Sequence, residues 1–243
     1  PEYSSAASDV YKRQMKNILK VASMALVLSL TLFGITNKAS AAKLTLYCSV
    51  EIDVCEMLEQ AYEKETGTKV AMTRASSGET FAKIKAEASN PKGDVWFGGT
   101  GDPHLTAAQE NLTEKYKSVH FNDLLPAAQN QAKNADFKSV GIYVGALGFG
   151  YNKDLLAKKG LPAPKSWMDL TKPIYKGEIQ VANPNSSGTA YTTLATILQI
   201  FGEDKGWDYM KKLHANINTY TKSGSAPIKA TGRGENLIGI CFQ

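Results

Sequence analysis

Segments patterned as strands alternate with segments patterned as helices from residue 44 onwards, and this order limits the fold more than any other feature of the sequence. Residues 44–50 (LTLYCSV) have the composition of a strand, and residues 52–66 then carry apolar side chains at helical spacing up to Gly67, which suits a helix C-cap. Residues 69–74 (KVAMTR) predict the next strand. The order is typical of a parallel sheet with helices packed on its faces.

The same alternation continues to the end of the sequence. In chain order, the further predicted elements are an amphipathic helix through Phe81, Ile84 and Ala88, a short buried strand at residues 94–97, a short helix opened by residues 152–154, a strand at 178–182, helices at 188–201 and 204–214, and a last strand at 236–242. Because neither a cap nor a polar tail follows the last strand, we expect the sequence to be truncated.

A glycine-rich apolar stretch at residues 139–151 (SVGIYVGALGFGY) interrupts the alternation. It has no helical stripe and no charged residue, so it predicts extended chain that crosses between two lobes. We therefore predict an α/β fold of two lobes, each a mainly parallel sheet flanked by helices. Lobe 1 is expected at residues 42–140, a hinge crossover at 141–150 and an incomplete lobe 2 at 151–243.

The beginning of the sequence has the pattern of an export signal. An apolar run at residues 21–33 follows two lysines and precedes the tripeptide Ala39-Ser40-Ala41. A basic start, a short apolar stretch and a small-x-small site together indicate a secretory signal peptide, and the run is shorter than the roughly 20 residues that span a bilayer. We expect a signal peptide at residues 15–41, a periplasmic protein, and a spurious upstream segment at residues 1–14.

The charge balance favours neither nucleic acid nor an acidic membrane surface as a partner. The full sequence has a formal net charge of +5, and five of its basic residues but only two of its acidic residues lie within residues 1–41. The rest of the chain is therefore nearly neutral, so we predict no nucleic-acid partner.

Two of the three cysteines, Cys48 and Cys55, lie close together in the sequence. The first ends a predicted strand and the second lies near the start of the next helix. An exported chain reaches an oxidising compartment, which favours a disulfide between them. Two buried free thiols are the alternative, because the distance between the Cα atoms cannot be derived from the sequence.

The first candidate ligand site is the turn Ser76-Ser77-Gly78-Glu79-Thr80, where a strand hands over to a helix. Unpaired N–H groups at a helix start, the positive end of the helix dipole and the nearby hydroxyls of Ser76, Ser77 and Thr80 form an anion site. The alternative is ordinary helix capping by the same serines.

A second turn of the same chemistry lies beyond the crossover, at residues 183–191 (NPNSSGTAY). It also follows a strand and opens an apolar helix. The predicted ligand contacts in this turn are Ser186, Ser187, Gly188, Thr189 and Tyr191. Two such turns, one in each lobe, predict that one anion is held from both sides of a cleft, and paired structural caps are the alternative.

A third strand-to-helix junction, at residues 98–104 (GGTGDPH), has the flexibility to bring backbone close to a ligand. Thr100 and Asp102 are predicted to bind a hydroxyl or ammonium group there, and the alternative is a turn in which Asp102 caps the helix. We expect His104 to be solvated or to act as a cap. The three histidines do not stand at metal-ligand spacing, so we predict neither a metal nor a cofactor.

The sequence lacks three common enzyme motifs. The sequence contains no Gly-x-Ser-x-Gly, no phosphate-binding Gly-x-x-x-x-Gly-Lys-Ser/Thr and no His-Glu-x-x-His. We therefore predict a protein that is not an enzyme. An exported hydrolase of phosphorylated compounds stays an alternative, with Asp102 and His104 as its candidate pair, and a structural or adhesive domain is another.

Five motifs together resemble a known family. They are SSGET (76–80), DVWFGGTGDPH (94–104), GALGFGYN (145–152), ANPNSSGTAY (182–191) and KSGSAP (222–227). The chain resembles the type-2 periplasmic binding proteins of the ferric-iron, hexose-phosphate and aminoalkylphosphonate group. The resemblance implies two α/β lobes that close on a ligand, a monomer, and delivery to the permease and ATPase of an ABC importer. It adds Ser223 to the candidate ligand contacts.

The resemblance leaves two ligands open. Members that hold ferric iron are similar in using adjacent tyrosines, whereas Tyr191 and Tyr220 stand alone here. Members that hold anions are similar in placing Ser-Ser-Gly-Thr turns against phosphate. We therefore favour a sugar phosphate or phosphonate, with ferric iron as the alternative.

Overall fold

The computed structural model describes residues 43–242, so the predicted upstream segment and signal peptide lie outside the described residues. The strands are β1 (Lys43–Cys48), β2 (Lys69–Arg74), β3 (Val95–Phe97), β4 (Leu147–Tyr151), β5 (Ile179–Ala182), β6 (Ile217–Thr221) and β7 (Ile238–Phe242). The α-helices are α1 (Ile52–Thr66), α2 (Ser77–Ala86), α3 (Gly101–Gln109), α4 (Pro126–Asn134), α5 (Lys153–Lys159), α6 (Gly188–Phe201), α7 (Glu203–Asn216) and α8 (Ala226–Gly232). Short 3-10 helices occupy Phe121–Asp123, Trp167–Thr171 and Pro173–Tyr175.

The first three strands form a parallel sheet in the order β2-β1-β3. Its central strand β1 turns Leu46, Tyr47 and Cys48 into the interior. Helix α1 joins β1 to β2 and ends at Gly67, which has the left-handed backbone (φ 71°) that suits a glycine C-cap. We call this sheet with α1–α4 the N-lobe.

The other four strands form a second sheet in the order β4-β7-β5-β6. Strand β7 runs parallel to β5 and antiparallel to β4, and β5 runs parallel to β6. Residues from the strands and helices around it form the larger core, in which Ile179, Ile197, Leu213, Ile238 and Ile240 are fully buried. We call this sheet with α5–α8 the C-lobe.

The predicted α/β class with mainly parallel, helix-flanked sheets is confirmed. The predicted bounds of α1, β2 and α6 agree with the structure. The sequence pattern does not predict strand β6, because this strand lies at the edge of its sheet and its three central residues are exposed. No helix between residues 43 and 242 is long and apolar enough to cross a membrane.

Three predictions about elements need correction. The strand predicted at residues 94–97 is not buried, because β3 lies at the edge of its sheet and Val95 is 43% exposed. Strand β1 ends at Cys48, two residues earlier than predicted, where the chain turns towards α1. Of the extended stretch predicted at residues 139–151, the last five residues form β4 in the second sheet, and residues 139–146 have no regular structure.

Candidate functional site

A disulfide joins Cys48 at the end of β1 to Cys55 in α1, with a Cα–Cα distance of 6.0 Å, as predicted. Both residues are fully buried. The disulfide closes the short loop that carries Ser49, Val50 and Glu51. Because these three residues line the cavity between the two sheets, the crosslink fixes one wall of the candidate site.

A cavity of about 520 Å³ lies between the N-lobe and the C-lobe. The starts of α2, α3 and α6 all reach it, together with the end of β2, the crossover and the loop before α8. Seven of the predicted site residues line this cavity: Ser76, Ser77, Thr100, Asp102, Ser187, Gly188 and Thr189. The structure thus brings together residues from all three strand-to-helix junctions that the sequence singled out.

The start of α6 faces the cavity with Gly188, Thr189 and Thr192. The first N–H groups of a helix have no partner within it, so those of Gly188 and Thr189 are available to a ligand. Gly188 is needed here, because a Cβ atom would lie 2.0 Å from the Oγ1 of Thr100 in the N-lobe. That Oγ1 is buried and has no hydrogen-bond partner among the described residues.

The two serine-glycine turns contact each other directly. The N–H of Gly78 donates to the carbonyl of Ser186 over 3.0 Å, and the Oγ of Ser76 donates to the carbonyl of Lys222 over 3.0 Å. Ser76 is also the N-cap of α2, with its N–H bonded to the carboxylate of Glu79. Gly78 and Ser186, both predicted as ligand contacts, therefore bond to each other and do not line the cavity.

Three more predicted contacts do not line the cavity. Thr80 is buried, and its hydroxyl shares a 3.0 Å hydrogen bond with that of Ser49. Tyr191 is 48% exposed, because the helical turn points it away from the face formed by residues 188, 189 and 192. Ser223 does not line the cavity, and its hydroxyl lies 3.3 Å from the guanidinium of Arg74 and 3.1 Å from the hydroxyl of Ser225.

Arg74 is the principal cavity residue that the sequence reasoning missed. It ends β2, is half-buried, and lines the cavity beside the start of α2. Its Nε donates to the carbonyl of Val50 over 2.9 Å, and its Nη2 donates to Ser223 Oγ over 3.3 Å. A basic residue at the end of the strand that leads into a Ser-Ser-Gly turn was the available signal.

An ion pair joins the two lobes at the cavity wall. The ammonium group of Lys229 in α8 contacts the carboxylate of Glu51, which precedes α1. Burial raises the pKa of Glu51, but the hydrogen bonds from Lys229 and Ser225 and the charges of Lys229 and Arg74 outweigh it and lower the pKa below its ordinary value. Glu51 is therefore held as a carboxylate between two cations.

The prediction that His104 is solvated or caps a helix is wrong. Its ring stacks on Trp96 with 3.6 Å between centroids, and its Nε2 lies 2.8 Å from the carbonyl of Gly98. Burial lowers the pKa of His104, which keeps the imidazole neutral. Among the described residues that line the cavity, Asp102 is present and His104 is not, so the geometry does not favour them as a hydrolytic pair.

Metal ligands are not clustered in the described part of the chain. Residues 43–242 contain no group of three His, Cys, Asp or Glu side chains placed to hold a metal ion. Tyr220 hydrogen-bonds to Nδ1 of His214 over 2.7 Å, on the exposed side of the C-lobe. The polar groups that line the cavity are instead backbone N–H groups, hydroxyls, the guanidinium of Arg74 and the carboxylates of Glu51 and Asp102.

The family of bacterial extracellular solute-binding proteins matches this chain over residues 95–242. The chain belongs to this family. The resemblance inferred from the sequence is thereby confirmed, and the cavity of this solute-binding protein lies between its two contacting lobes.

The chain is also similar to a curated protein and to two solved structures. An uncharacterised protein of Haemophilus influenzae is 44% identical over 92% of the chain. The structure of the periplasmic binding protein AfuA from Actinobacillus pleuropneumoniae, with exogenous fructose 6-phosphate bound, is 46% identical over 84% of the chain with a TM-score of 0.81. Iron-bound HitA from Pseudomonas aeruginosa, 21% identical over 83% of the chain with a TM-score of 0.69, shares the fold.

The chain spans only part of the length of these relatives. It covers 64% of the Haemophilus protein, 64% of AfuA and 63% of HitA.

Proposed function

We propose that this protein is the substrate-binding component of an ABC importer and that it captures a small phosphorylated organic anion between its lobes. In this proposal it acts in the periplasm as a monomer, catalyses no reaction, and delivers its ligand to a permease in the inner membrane. Membership of the solute-binding family supports the capture role.

The observation that carries the proposal is the meeting of three helix starts with Arg74 in one cavity. Unpaired N–H groups at a helix start bear partial positive charge and bind phosphate groups. A guanidinium adds a full charge and donors in a fork that matches phosphate oxygens. Because the cavity walls come from both lobes, ligand contacts on the two sides would stabilise the closed arrangement.

The carboxylate of Asp102 narrows the ligand class. It lies at the exposed start of α3 and lines the same cavity. A carboxylate repels a bare anion but accepts hydrogen bonds from hydroxyl and ammonium groups. We therefore propose that the ligand carries a phosphate or phosphonate at one end and hydroxyl or ammonium groups at the other, as a sugar phosphate does. The fructose 6-phosphate in the AfuA structure supports this class.

Isothermal titration calorimetry with matched ligands tests the proposal. Fructose 6-phosphate or 2-aminoethylphosphonate should bind with a Kd of about 1 µM or below, which is roughly −8 kcal/mol. Fructose, which lacks the anion, and inorganic phosphate, which lacks the hydroxyls, should each bind at least about a hundredfold more weakly. Tight binding of ferric citrate without binding of any phosphorylated compound would replace the proposal by iron capture. Release of inorganic phosphate during the titration would replace it by hydrolysis.

A further inference from the structure

Tyr143 lies in the irregular crossover, residues 139–146, between the two sheets. Its hydroxyl accepts a hydrogen bond from the N–H of Gly99 over 2.7 Å and donates one to the carbonyl of the same glycine over 2.9 Å. One side chain of the crossover therefore engages both backbone polar groups of a residue that lines the cavity.

The carbonyl of Gly98 is held by His104, whereas the hydrogen bonds found for Gly99 among the described residues are the two to Tyr143. Gly98 and Gly99 both have left-handed backbones, with φ of 77° and 90°, which glycine adopts more readily than any other residue. They also fit tightly, since a Cβ on Gly98 would lie 2.4 Å from Val50 and one on Gly99 would lie 2.2 Å from Ser77 Oγ. Glycine pairs are flexible, so this loop needs external hydrogen bonds to keep one conformation.

The position of this loop determines the wall that faces the C-lobe. Thr100 follows Gly99, is the N-cap of α3, and donates its N–H to Ser77 Oγ over 3.3 Å. Its side chain packs against Gly188 at the start of α6 in the C-lobe. A shift of Gly99 would therefore move both the start of α3 and the contact between the lobes.

We propose that Tyr143 is a positioning residue that couples the crossover to the ligand cavity. Lobe movement changes the backbone torsions of a hinge segment. In the closed arrangement the hydroxyl of Tyr143 holds Gly99, and the start of α3 is in place for the ligand. When the crossover torsions change, the hydroxyl leaves Gly99 and that wall loosens. This inference rests on the proposed function, because it assigns Tyr143 a part in retaining the ligand.

Tyr143→Phe tests the inference, because it keeps the ring and removes both hydrogen bonds. With fructose 6-phosphate as the probe, stopped-flow measurements should show a dissociation rate about tenfold higher and an association rate within twofold of the wild-type protein. The matched control is Tyr116→Phe, since Tyr116 is 73% exposed and should leave both rates unchanged. In the protein saturated with fructose 6-phosphate, the amide of Gly99 should exchange with solvent about tenfold faster in Tyr143→Phe than in the wild-type protein or the control.

The outcomes separate this inference from the proposed function. If the wild-type protein binds the probe and Tyr143→Phe dissociates at the same rate, the inference is overturned and the proposed function stands. A fall in melting temperature with equal changes in both rate constants would reduce Tyr143 to a structural residue and also overturn it. If the wild-type protein binds no probe, the proposed function fails, whereas unchanged exchange of the Gly99 amide in the ligand-bound Tyr143→Phe variant would overturn the coupling alone.

Discussion

The backbone N–H of Gly78 in the N-lobe donates a hydrogen bond to the carbonyl of Ser186 in the C-lobe over 3.0 Å. This bond joins the two serine-glycine turns, so it exists only while the lobes are in contact. A Cβ atom on Gly78 would lie 2.8 Å from the carbonyl oxygen of Asn185 and 2.9 Å from that of Ser186. Both obstacles are backbone atoms of the opposite lobe, which cannot move aside without separating the lobes.

Gly78→Ala should therefore weaken ligand binding without weakening the fold. The overlap should cost the closed arrangement about 1–3 kcal/mol, so affinity for fructose 6-phosphate should fall at least about fivefold. The ligand-free melting temperature should stay level or rise slightly, because alanine suits the first turn of α2 better than glycine. Gly232→Ala is the matched control, since a Cβ there meets nothing within 4 Å. Equal affinities for the two variants would contradict the contact between the turns.

The ion pair between Glu51 and Lys229 should slow ligand release. Glu51→Gln and Lys229→Met should each raise the dissociation rate, and the double variant should show a coupling of about 0.2–1 kcal/mol, as for a partly exposed pair. The pKa of Glu51 is lowered, so the attraction should be present above about pH 4.5 and disappear as the pH falls through the lowered value. Glu235→Gln, which breaks the exposed pair with Arg233 inside the C-lobe, is the control. Strictly additive effects of the two single variants on the dissociation rate would show that this ion pair does not help to hold the lobes together.

The disulfide should leave one alkylatable cysteine in the unfolded, non-reduced protein. Iodoacetamide should add one label, on Cys241, which is free, and mass spectrometry should find three labels after reduction. Three labels without reduction would contradict the crosslink. Replacing Cys48 and Cys55 together by serine should lower the free energy of unfolding by about 2–3 kcal/mol, because the closed loop is short.

The local elements and the candidate turns were accessible from the sequence for different reasons. Helix α1 and strand β2 follow from periodicity, which depends only on near neighbours in the chain. The start of α2 was recognisable because Ser76 and Glu79 are the two partners of a capping box. These signals locate helix starts, and three such starts do meet in the cavity.

The sequence pattern could not provide the contacts between distant segments. Arg74 and Ser223 are 149 residues apart, and Glu51 and Lys229 are 178 residues apart. Their meeting depends on how the lobes pack, and no local periodicity records that packing. The direct bond between Gly78 and Ser186 is of the same kind, so the sequence pattern does not predict it.

The stability of the ligand-free protein should rise as the pH increases towards 6.5 because of His104. Burial lowers the pKa of His104 below its ordinary value of 6.5, so the unfolded chain binds a proton that the folded protein excludes. The contribution of His104 to the free energy of unfolding is fully present above pH 6.5. It is lost as the pH falls towards the lowered pKa, by at most about 1.4 kcal/mol per pH unit. Urea denaturation of His104→Gln should show a flatter profile, whereas His120→Gln, with an exposed ring, should match the wild-type protein. Parallel profiles for all three would contradict the burial argument.

In the proposed function, the cavity between the lobes binds an anionic group with Arg74 as its cationic partner. Calorimetric titration of fructose 6-phosphate into Arg74→Gln tests this most directly. A hydrogen bond to a charged group contributes about 1.5–3 kcal/mol, so the affinity should fall roughly 10- to 150-fold. The control is Arg233→Gln, which removes an exposed arginine paired with Glu235 and should bind like the wild-type protein. A wild-type protein that binds the sugar phosphate tightly, together with an Arg74 variant within twofold of it, would contradict the account.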